Sequence, residues 1–458
     1  MKRFILLLCL AGSICLQAQQ QVDFDTDFTN WSEWVGKTVT FTNDFYVSDL
    51  SSMVVASHRL RSPEEYGEEG TAAYTAAENQ NEHDACYLSG VSLPSGSRPG
   101  TIIRGLTAKV TAANMLKAQG TPTIIYNDLP TVRPNLGKAN VVVCGANIEN
   151  FFVTLGGYAG ASSTSQLATQ KAKISKGLVN IDADVYALCE MEQGPRAVPV
   201  MVAAMNELVG GDDYDWIDAG FEYYDGVMVC FIYRKTTMRP YGSYLQPYSY
   251  GTYSYREAIQ CFEHLATGEK FNVSINHFKA KSSSGDTDGT RQQNMSYLIN
   301  KLPTAAKNDP DILVMGDLNA YTMEESNLML SRDEGYVDLL MRDDPTGYSY
   351  VYQNLVGYLD HAYCSPSMAP QVTKAVAYHL NADTQKSYGY TYGNNSMYRY
   401  ADHDPILVGL HLGPEDTTST EDITSQPSVI RAQKLIRDGQ FVIIRSGVEY
   451  TITGARLK

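Results

Sequence analysis

Asp311-Ile-Leu-Val-Met-Gly-Asp-Leu-Asn-Ala320 is the stretch on which the fold turns. Its apolar residues, Ile312 to Met315, are too few for a buried helix and stop at Gly316, so they read as a fully buried strand. Asp317 and Asn319 then stand at the strand's C-terminal end. The same form recurs upstream: Val141–Ala146 ends at Asn147, Asp184–Cys189 at Glu190, and Phe271–Asn276 at His277. A fifth polar cluster, Ala401-Asp402-His403-Asp404-Pro405, precedes the apolar Ile406–Val408. Helical windows separate several of these runs, at Ser165–Val179 with Leu167, Ile174 and Leu178 near helical spacing, at Val200–Leu208 and at Arg291–Leu302. Gly226–Tyr233, Glu257–His264 and Phe271–Phe278 follow strand upon strand, with Gly268 closing a hairpin between the last two. Mixed βα and ββ connections of this kind predict two packed sheets with helices outside.

Polar groups at strand ends sit on the rim of a sheet, where sites are commonly built. Glu190 with Asp317 or Asp402 offers hard oxygen ligands for Mg²⁺, Mn²⁺ or Ca²⁺. A divalent ion there would neutralise a phosphate and polarise its P–O bonds. His277 and His403 supply an acid and a base near neutral pH, and Asp360, in Tyr358-Leu-Asp-His-Ala-Tyr363, is placed to fix the tautomer of His403. Asn147 and Asn319 orient ligands without adding carboxylate repulsion. The set suits hydrolysis of a phosphate ester.

Six segments in order carry a family resemblance: Asn147-Ile-Glu-Asn150, Leu188-Cys-Glu-Met191, Asn276-His-Phe-Lys279, Gly316-Asp-Leu-Asn-Ala320, Leu359-Asp360 and Asp402-His403. Together they resemble the endonuclease/exonuclease/phosphatase superfamily, which includes deoxyribonucleases, abasic-site endonucleases, neutral sphingomyelinases and inositol polyphosphate phosphatases. The resemblance runs from Ala139 to Leu412 and implies a four-layer α/β sandwich of two mixed sheets flanked by helices, with metal-dependent ester cleavage. By the same resemblance Glu190 is the metal carboxylate, Asn147 its amide partner and Asp402 a second acidic site residue. Asp317 and Asn319 match residues that orient phosphate and the attacking water. His403 matches the general base paired with Asp360, and His277 the second His of the deoxyribonuclease branch, bonding the phosphate or protonating the leaving oxygen. Arg256 resembles a phosphate-contacting Arg at a strand start, and Lys279 could steer an anion or simply be solvated. The family's usual Gln before the catalytic Glu is Cys189 here, a departure that removes a hydrogen bond but no catalytic group. Glu149, Glu192, His361 and Asp404 neighbour these motifs and read as supporting or surface residues.

Outward from this core, residues 19–136 read as short strands and turns. Thr38–Val47 and Thr101–Val110 alternate with period two, and the polar Ser62–Asp84 between them reads as a long loop. The simplest expectation is a small β-barrel, with the oligonucleotide/oligosaccharide-binding barrel as a candidate type. Trp31, Trp34, Phe45 and Tyr46 are then either core residues or a ligand-stacking surface, with core the blander reading. The Tyr run Tyr241, Tyr244, Tyr248, Tyr250, Tyr253 and Tyr255 divides in the same way between base stacking and packing.

Residues 1–18 read as a signal peptide: Lys2 and Arg3, an apolar run Phe4–Leu16 too short to span a bilayer, and Ala18 at a cleavage point. A lipidated Cys15 is the rival, disfavoured by Ile14. No later apolar run reaches spanning length, so the expectation is an exported protein without an integral membrane segment, located in the periplasm, on the cell surface or outside. Six cysteines remain after cleavage, with no Cys-x-x-Cys spacing, and most read as core thiols. Residues 413–427 are a polar linker. Residues 428–458 form a hairpin whose six Arg or Lys against two Asp or Glu give +4. This tail resembles the short C-terminal tails of exported Bacteroidetes proteins, some of which are sorting or attachment signals; a solvated hairpin without a role is the alternative.

The whole chain of 458 residues is 43% hydrophobic and 19% charged, a globular mix that excludes a disordered or coiled-coil protein. Its net charge of −15 excludes capture of nucleic acid or anionic membrane by the overall field, so local cations or bound metal must meet a phosphate polymer. The first expectation is therefore an exported, divalent-metal-dependent nuclease acting on DNA or RNA. The same chemistry on a lipid phosphodiester such as sphingomyelin, or on a phosphorylated inositol, is the second. A binding protein with a dead hydrolase fold is the third, opposed by the complete site set.

Overall fold

The computed structural model describes residues 20–157, 159–247, 256–281, 288–384, 394–414, 433–437, 440–445 and 448–451. Residues up to Gly413 gather into one compact unit and Pro414–Lys458 into another.

Period-two alternation builds the centre of the first unit. Val141 and Val143 face one way and Val142 and Cys144 the other, all buried, so this strand needs a layer on each side. One six-stranded sheet runs in the order Tyr214–Trp216, Val227–Arg234, Val185–Glu192, Val141–Phe151, Ile406–Leu410, Val372–Ala377. The other runs Met238–Leu245, Glu257–His264, Lys270–His277, Ile312–Asp317, Asp360–Cys364, Val337–Asp338. Each sheet has one parallel pair among antiparallel neighbours, Val141–Phe151 with Val185–Glu192 and Lys270–His277 with Ile312–Asp317. Between the sheets lie Val143, Ala187 and Phe231 from the first and Phe262, Val273 and Met315 from the second.

The helices Thr164–Ile181 and Ala197–Val209 cover the outside of the first sheet through Ile174, Leu178, Met201 and Met205. Gly289–Ala305 covers the second through Met295 and Leu298 against Ile259 and Val314. The expected four layers, helix–sheet–sheet–helix, are thus present, and both parallel pairs run their C-terminal ends toward the site.

The N-terminal region is β-rich. Its nine-stranded sheet is ordered Gln20–Val22, Thr38–Phe41, Thr107–Ala112, Met115–Ala118, Cys86–Ser89, Val54–Ala56, Phe45–Asp49, Ile102–Arg104, Thr123–Ile125. Among the described residues no ladder joins the first of these strands to the last. Trp31, Trp34 and Phe45 belong to its core: Phe28 stacks on Trp34 at 4.7 Å, and the Trp31 indole donates to the His83 carbonyl at 3.1 Å. Tyr46 is half-buried.

The expected loop over Ser62–Asp84 is a correction. Ala72–Asp84 is a helix capped by Thr71, whose hydroxyl accepts from Tyr74 N at 3.3 Å. Ala72, Ala73, Ala76, Ala77 and Glu78 favour helix intrinsically, but only Ala77 and Asp84 are buried, so no apolar stripe betrays it in the sequence.

All six described cysteines are buried and free. Among the described residues, no helix is long and apolar enough to cross a membrane. Tyr244 packs against Phe231 and Phe221 while Tyr241 is exposed; Tyr248, Tyr250, Tyr253 and Tyr255 lie outside the described residues, as does the signal segment 1–18. In the second unit the expected hairpin has a third strand, giving Gln433–Arg437, Gln440–Arg445 and Val448–Thr451.

Candidate active site

Local backbone distortion, rather than ideal strand geometry, delivers the site side chains. Along Val185–Glu192, Leu188 faces the outer core and Cys189 the core between the sheets, so strict alternation would turn Glu190 outward and Met191 inward. Met191 instead joins the outer core, because a register shift falls between Leu188 and Met191 with Glu190 in the left-handed region at φ 66°. The bulge swings the Glu190 carboxylate to the strand end. Glu149 and Asn150, at φ 52° and 54°, break the neighbouring strand in the same way just past Asn147.

Gly316 performs the complementary task in the second sheet. It is paired with Asn276, and a Cβ on it would lie 2.0 Å from the Asn276 carbonyl oxygen at φ 132°. Only glycine lets the two strands close this tightly. The next register pair is His277 with Asp317, side by side at the site.

Asn147 joins the two sheets. Its Nδ2 donates to Glu190 Oε1 and Asp317 Oδ2, both at 3.0 Å, while its Oδ1 accepts from Glu149 N at 2.9 Å. Asn147 thus clamps the two carboxylates through its amide, as their expected partner, while its carbonyl oxygen meets Glu149 N. Glu190 Oε2 accepts from Asn150 N at 2.9 Å, a contact no motif reading anticipates. His277 Nε2 lies 3.6 Å from Glu190 Oε1 and 3.8 Å from Asp317 Oδ2. Asn319, left-handed at φ 50°, donates its backbone N–H to Asp317 Oδ1 at 3.0 Å and its amide to the Phe278 carbonyl at 3.2 Å.

His403 sits opposite. Its Nδ1 donates to Asp360 Oδ2 at 2.7 Å, which leaves Nε2 facing Asp317 Oδ2 and Asp402 Oδ1, each at 3.9 Å. Tyr350 lays its ring on the imidazole at a centroid distance of 4.6 Å. Ser349 Oγ accepts from the backbone N–H groups of Leu359 and Asp360, at 3.2 and 3.0 Å. Neither Tyr350 nor Ser349 was legible in the sequence, since nothing local marks residues whose partners, His403 and Asp360, lie far along the chain.

Electrostatics divides the two imidazoles. Burial opposes a charge on His403, but Asp360, Asp317 and Asp402 outweigh it and raise its pKa well above the usual value. Burial, with Arg256 and His403 nearby, drives His277 well below it, so His277 is neutral. Burial pushes Asp317 up to about 7 and raises Glu190 as well, against the hydrogen bonds from Asn147.

Ligand atoms of Glu190, His277 and Asp317 lie within 4.8 Å of one another, as do those of Asp317, Asp360 and His403. Carboxylates crowded around an amide, with raised proton affinity, are the donor set a hard divalent cation requires. Asp402 belongs to neither group; it is about a third exposed and stands at the rim beside His403. Arg256 lies at the start of its strand, its carbonyl accepting from His277 N at 2.8 Å. Lys279 is half-buried at the edge and donates to the Ala280 carbonyl. Cys189 fills the inter-sheet core. Of the neighbours read as bland, Glu192 accepts from Val153 N and Thr154 N, and His361 bonds the Ala320 carbonyl; neither reaches the site.

A model of the endonuclease/exonuclease/phosphatase family matches residues 145–403, more than half of the chain. No curated protein matches the sequence. Among solved structures, a family protein of that description from Bacteroides thetaiotaomicron is similar at 15% identity and a TM-score of 0.44, covering 59% of this chain and 97% of its own. The mannosyl-6-phosphatase of Bacteroides thetaiotaomicron gives 15% identity, a TM-score of 0.45, and coverage of 60% and 100%. The human nocturnin catalytic domain gives 16%, 0.41, and coverage of 61% and 96%.

Proposed function

Because the chain belongs to the endonuclease/exonuclease/phosphatase family, metal-dependent hydrolases of phosphodiester or phosphate esters, we propose that it is an exported phosphodiesterase whose substrate is nucleic acid. The observation that carries the reading is the pair of unlike histidines facing one cluster of carboxylates, His403 with Nδ1 locked to Asp360 and His277 held neutral. Glu190 and Asp317 would hold the divalent ion, Mg²⁺ with Mn²⁺ or Ca²⁺ as alternatives, with His277 and Asp402 beside them.

A cation held there would supply positive charge against the phosphate and would offset the carboxylate charge that favours a proton on His403. With Nδ1 donating to Asp360, His403 has only Nε2 free to take a proton from the attacking water. Asp317, fixed by Asn147 and Asn319 N, orients that water and repels any second orientation of it. His277, neutral, offers its Nε2 side to a phosphate oxygen without adding a fixed charge. Arg256, close enough to His277 to lower its pKa, and Lys279 are the cations this reading offers to a phosphate backbone.

The signal-like N-terminus supports export, and the basic tail supports attachment to the envelope. The test is nicking of supercoiled plasmid by the mature protein with Mg²⁺, with Mn²⁺ or Ca²⁺, and with chelator. Cleavage that needs metal and falls by about 10²–10⁴ in His403→Ala is the expected result. Full activity in His403→Ala refutes the assignment of the base, and an inert folded protein that cleaves sphingomyelin or an inositol phosphate refutes the nucleic-acid substrate.

A further inference from the structure

We propose that Arg59–Glu65, a segment of the N-terminal region outside the family match, is a positioning element of the active site that holds both members of the His403–Asp360 pair. The inference rests on the catalytic reading of that pair given above.

Asp360 is reached through a hairpin. Tyr350–Tyr352 pairs with Leu355–Gly357, and Ser349, just before the first strand, accepts from Asp360 N just after the second. The segment seals this hairpin from outside. Ser62 N donates to the Val356 carbonyl and Val356 N to the Leu60 carbonyl, both at 2.9 Å, adding a short parallel bridge to its second strand. Glu65, buried, accepts from Tyr358 N at 2.8 Å and from the Thr322 hydroxyl and Arg61, both at 3.0 Å. Arg61 in turn donates to the carbonyls of Thr346 and Gly347, at 2.8 Å each. The residues entering the hairpin and the residue leaving it are therefore fixed by one Arg–Glu pair.

His403 is reached by a second route. Arg59 makes a bidentate pair with Asp383, at 3.0 and 2.8 Å, and Asp383 is buried. Asn127 and the Tyr348 hydroxyl complete the coordination of that carboxylate. Asp383 lies two residues beyond Asn381, whose side-chain amide donates to the His403 carbonyl at 2.7 Å. Asn381 N and Ala382 N also donate to Asp404, next to His403, and Asp404 N closes the loop on the Ser349 carbonyl at 2.8 Å.

A segment that merely covered apolar surface would not bury two carboxylates with matched guanidinium partners. Such pairs are costly to desolvate, fix one geometry, and are lost if either loop shifts. They concentrate here on the two loops whose relative placement sets the 2.7 Å His403–Asp360 contact.

The experiment uses the full chain with Arg59→Gln, Arg59→Lys and Glu65→Gln. kcat and KM are measured on bis(p-nitrophenyl) phosphate with divalent metal, and hydrogen exchange is followed by mass spectrometry. Expected is a fall in kcat of at least tenfold in Arg59→Gln with KM within twofold, and partial recovery in Arg59→Lys. Exchange rises selectively in peptides covering Tyr348–Asp360, Asn381–Thr384 and Tyr400–Asp404 while the nine-stranded sheet stays protected. If Arg59→Gln does not fold, Glu65→Gln, which keeps the shape but replaces one of the two acceptor oxygens by an NH2 donor and removes the charge, decides by the same two readouts. Folded variants with kcat within twofold of the parent and unchanged exchange overturn the proposal. Should the parent prove inert toward this phosphodiester, the function above fails while exchange alone still judges the positioning: selective loss of protection upholds it, and unchanged protection overturns it.

Discussion

Glu257 is a buried carboxyl with no cation paired to it among the described residues. It lies on the outer face of the second sheet under the Gly289–Ala305 helix, with no exposure. Oε1 accepts from Asn294 Nδ2 at 2.9 Å, and Oε2 has no partner among the described residues. Burial, opposed only by that one hydrogen bond, pushes its pKa from the ordinary 4.5 up to about 8. The folded state therefore binds this proton more tightly than the unfolded chain does. Its stabilising contribution is whole below pH 4.5 and is lost as pH rises toward 8.

The difference of 3.5 units, at 1.36 kcal/mol each, is about 5 kcal/mol lost across that window. Glu257→Gln keeps the shape and the Asn294 bond of the protonated acid and cannot ionise. Urea unfolding of parent and variant from pH 5 to pH 9 checks this. The two are expected to agree within about 1 kcal/mol near pH 5, and the variant is expected to be more stable by several kcal/mol at pH 9. A stability difference that stays flat with pH would refute the argument that Glu257 is neutral in the fold.

Glu190→Gln removes one carboxylate charge while leaving an acceptor for Asn147, so divalent-metal affinity by titration calorimetry is expected to fall at least tenfold, about 1.4 kcal/mol, in a folded protein; an unchanged titration would take Glu190 out of the ligand set. Gly316→Ala drives a methyl into the Asn276 carbonyl at a left-handed backbone position, and a loss of roughly 3 kcal/mol or more in urea unfolding is expected. A loss under about 1 kcal/mol would show that the two strands separate without strain. Thr71→Ala deletes the hydroxyl that caps the Ala72–Asp84 helix, and should cost about 1 kcal/mol by the same measurement.

Two packed sheets, and the polar residues that end their strands, could be read from residue pattern alone. Buried strands such as Ile312–Met315 are apolar on both faces, and that pattern survives without knowing any partner, as do the polar residues that end them. Period and composition are local properties, so Asn147, Glu190, His277, Asp317, Asp360 and His403 were all legible before any contact was known. The Ala72–Asp84 helix was not, because a helix with almost no buried face has propensity but no periodic stripe.

Which atoms meet was settled by contacts that exist only in the folded chain. That Asn147 turns its amide rather than its carbonyl to the carboxylates depends on Glu149 N arriving from a left-handed turn. That Asp402 stands at the rim depends on where His403 is pinned. The contribution of Arg59, Arg61 and Glu65 lies some 285 to 325 positions away along the chain from the loops they hold. Hydrogen bonds and desolvated charges act over about 3 Å of space whatever the separation in sequence, so no local pattern of residues encodes them.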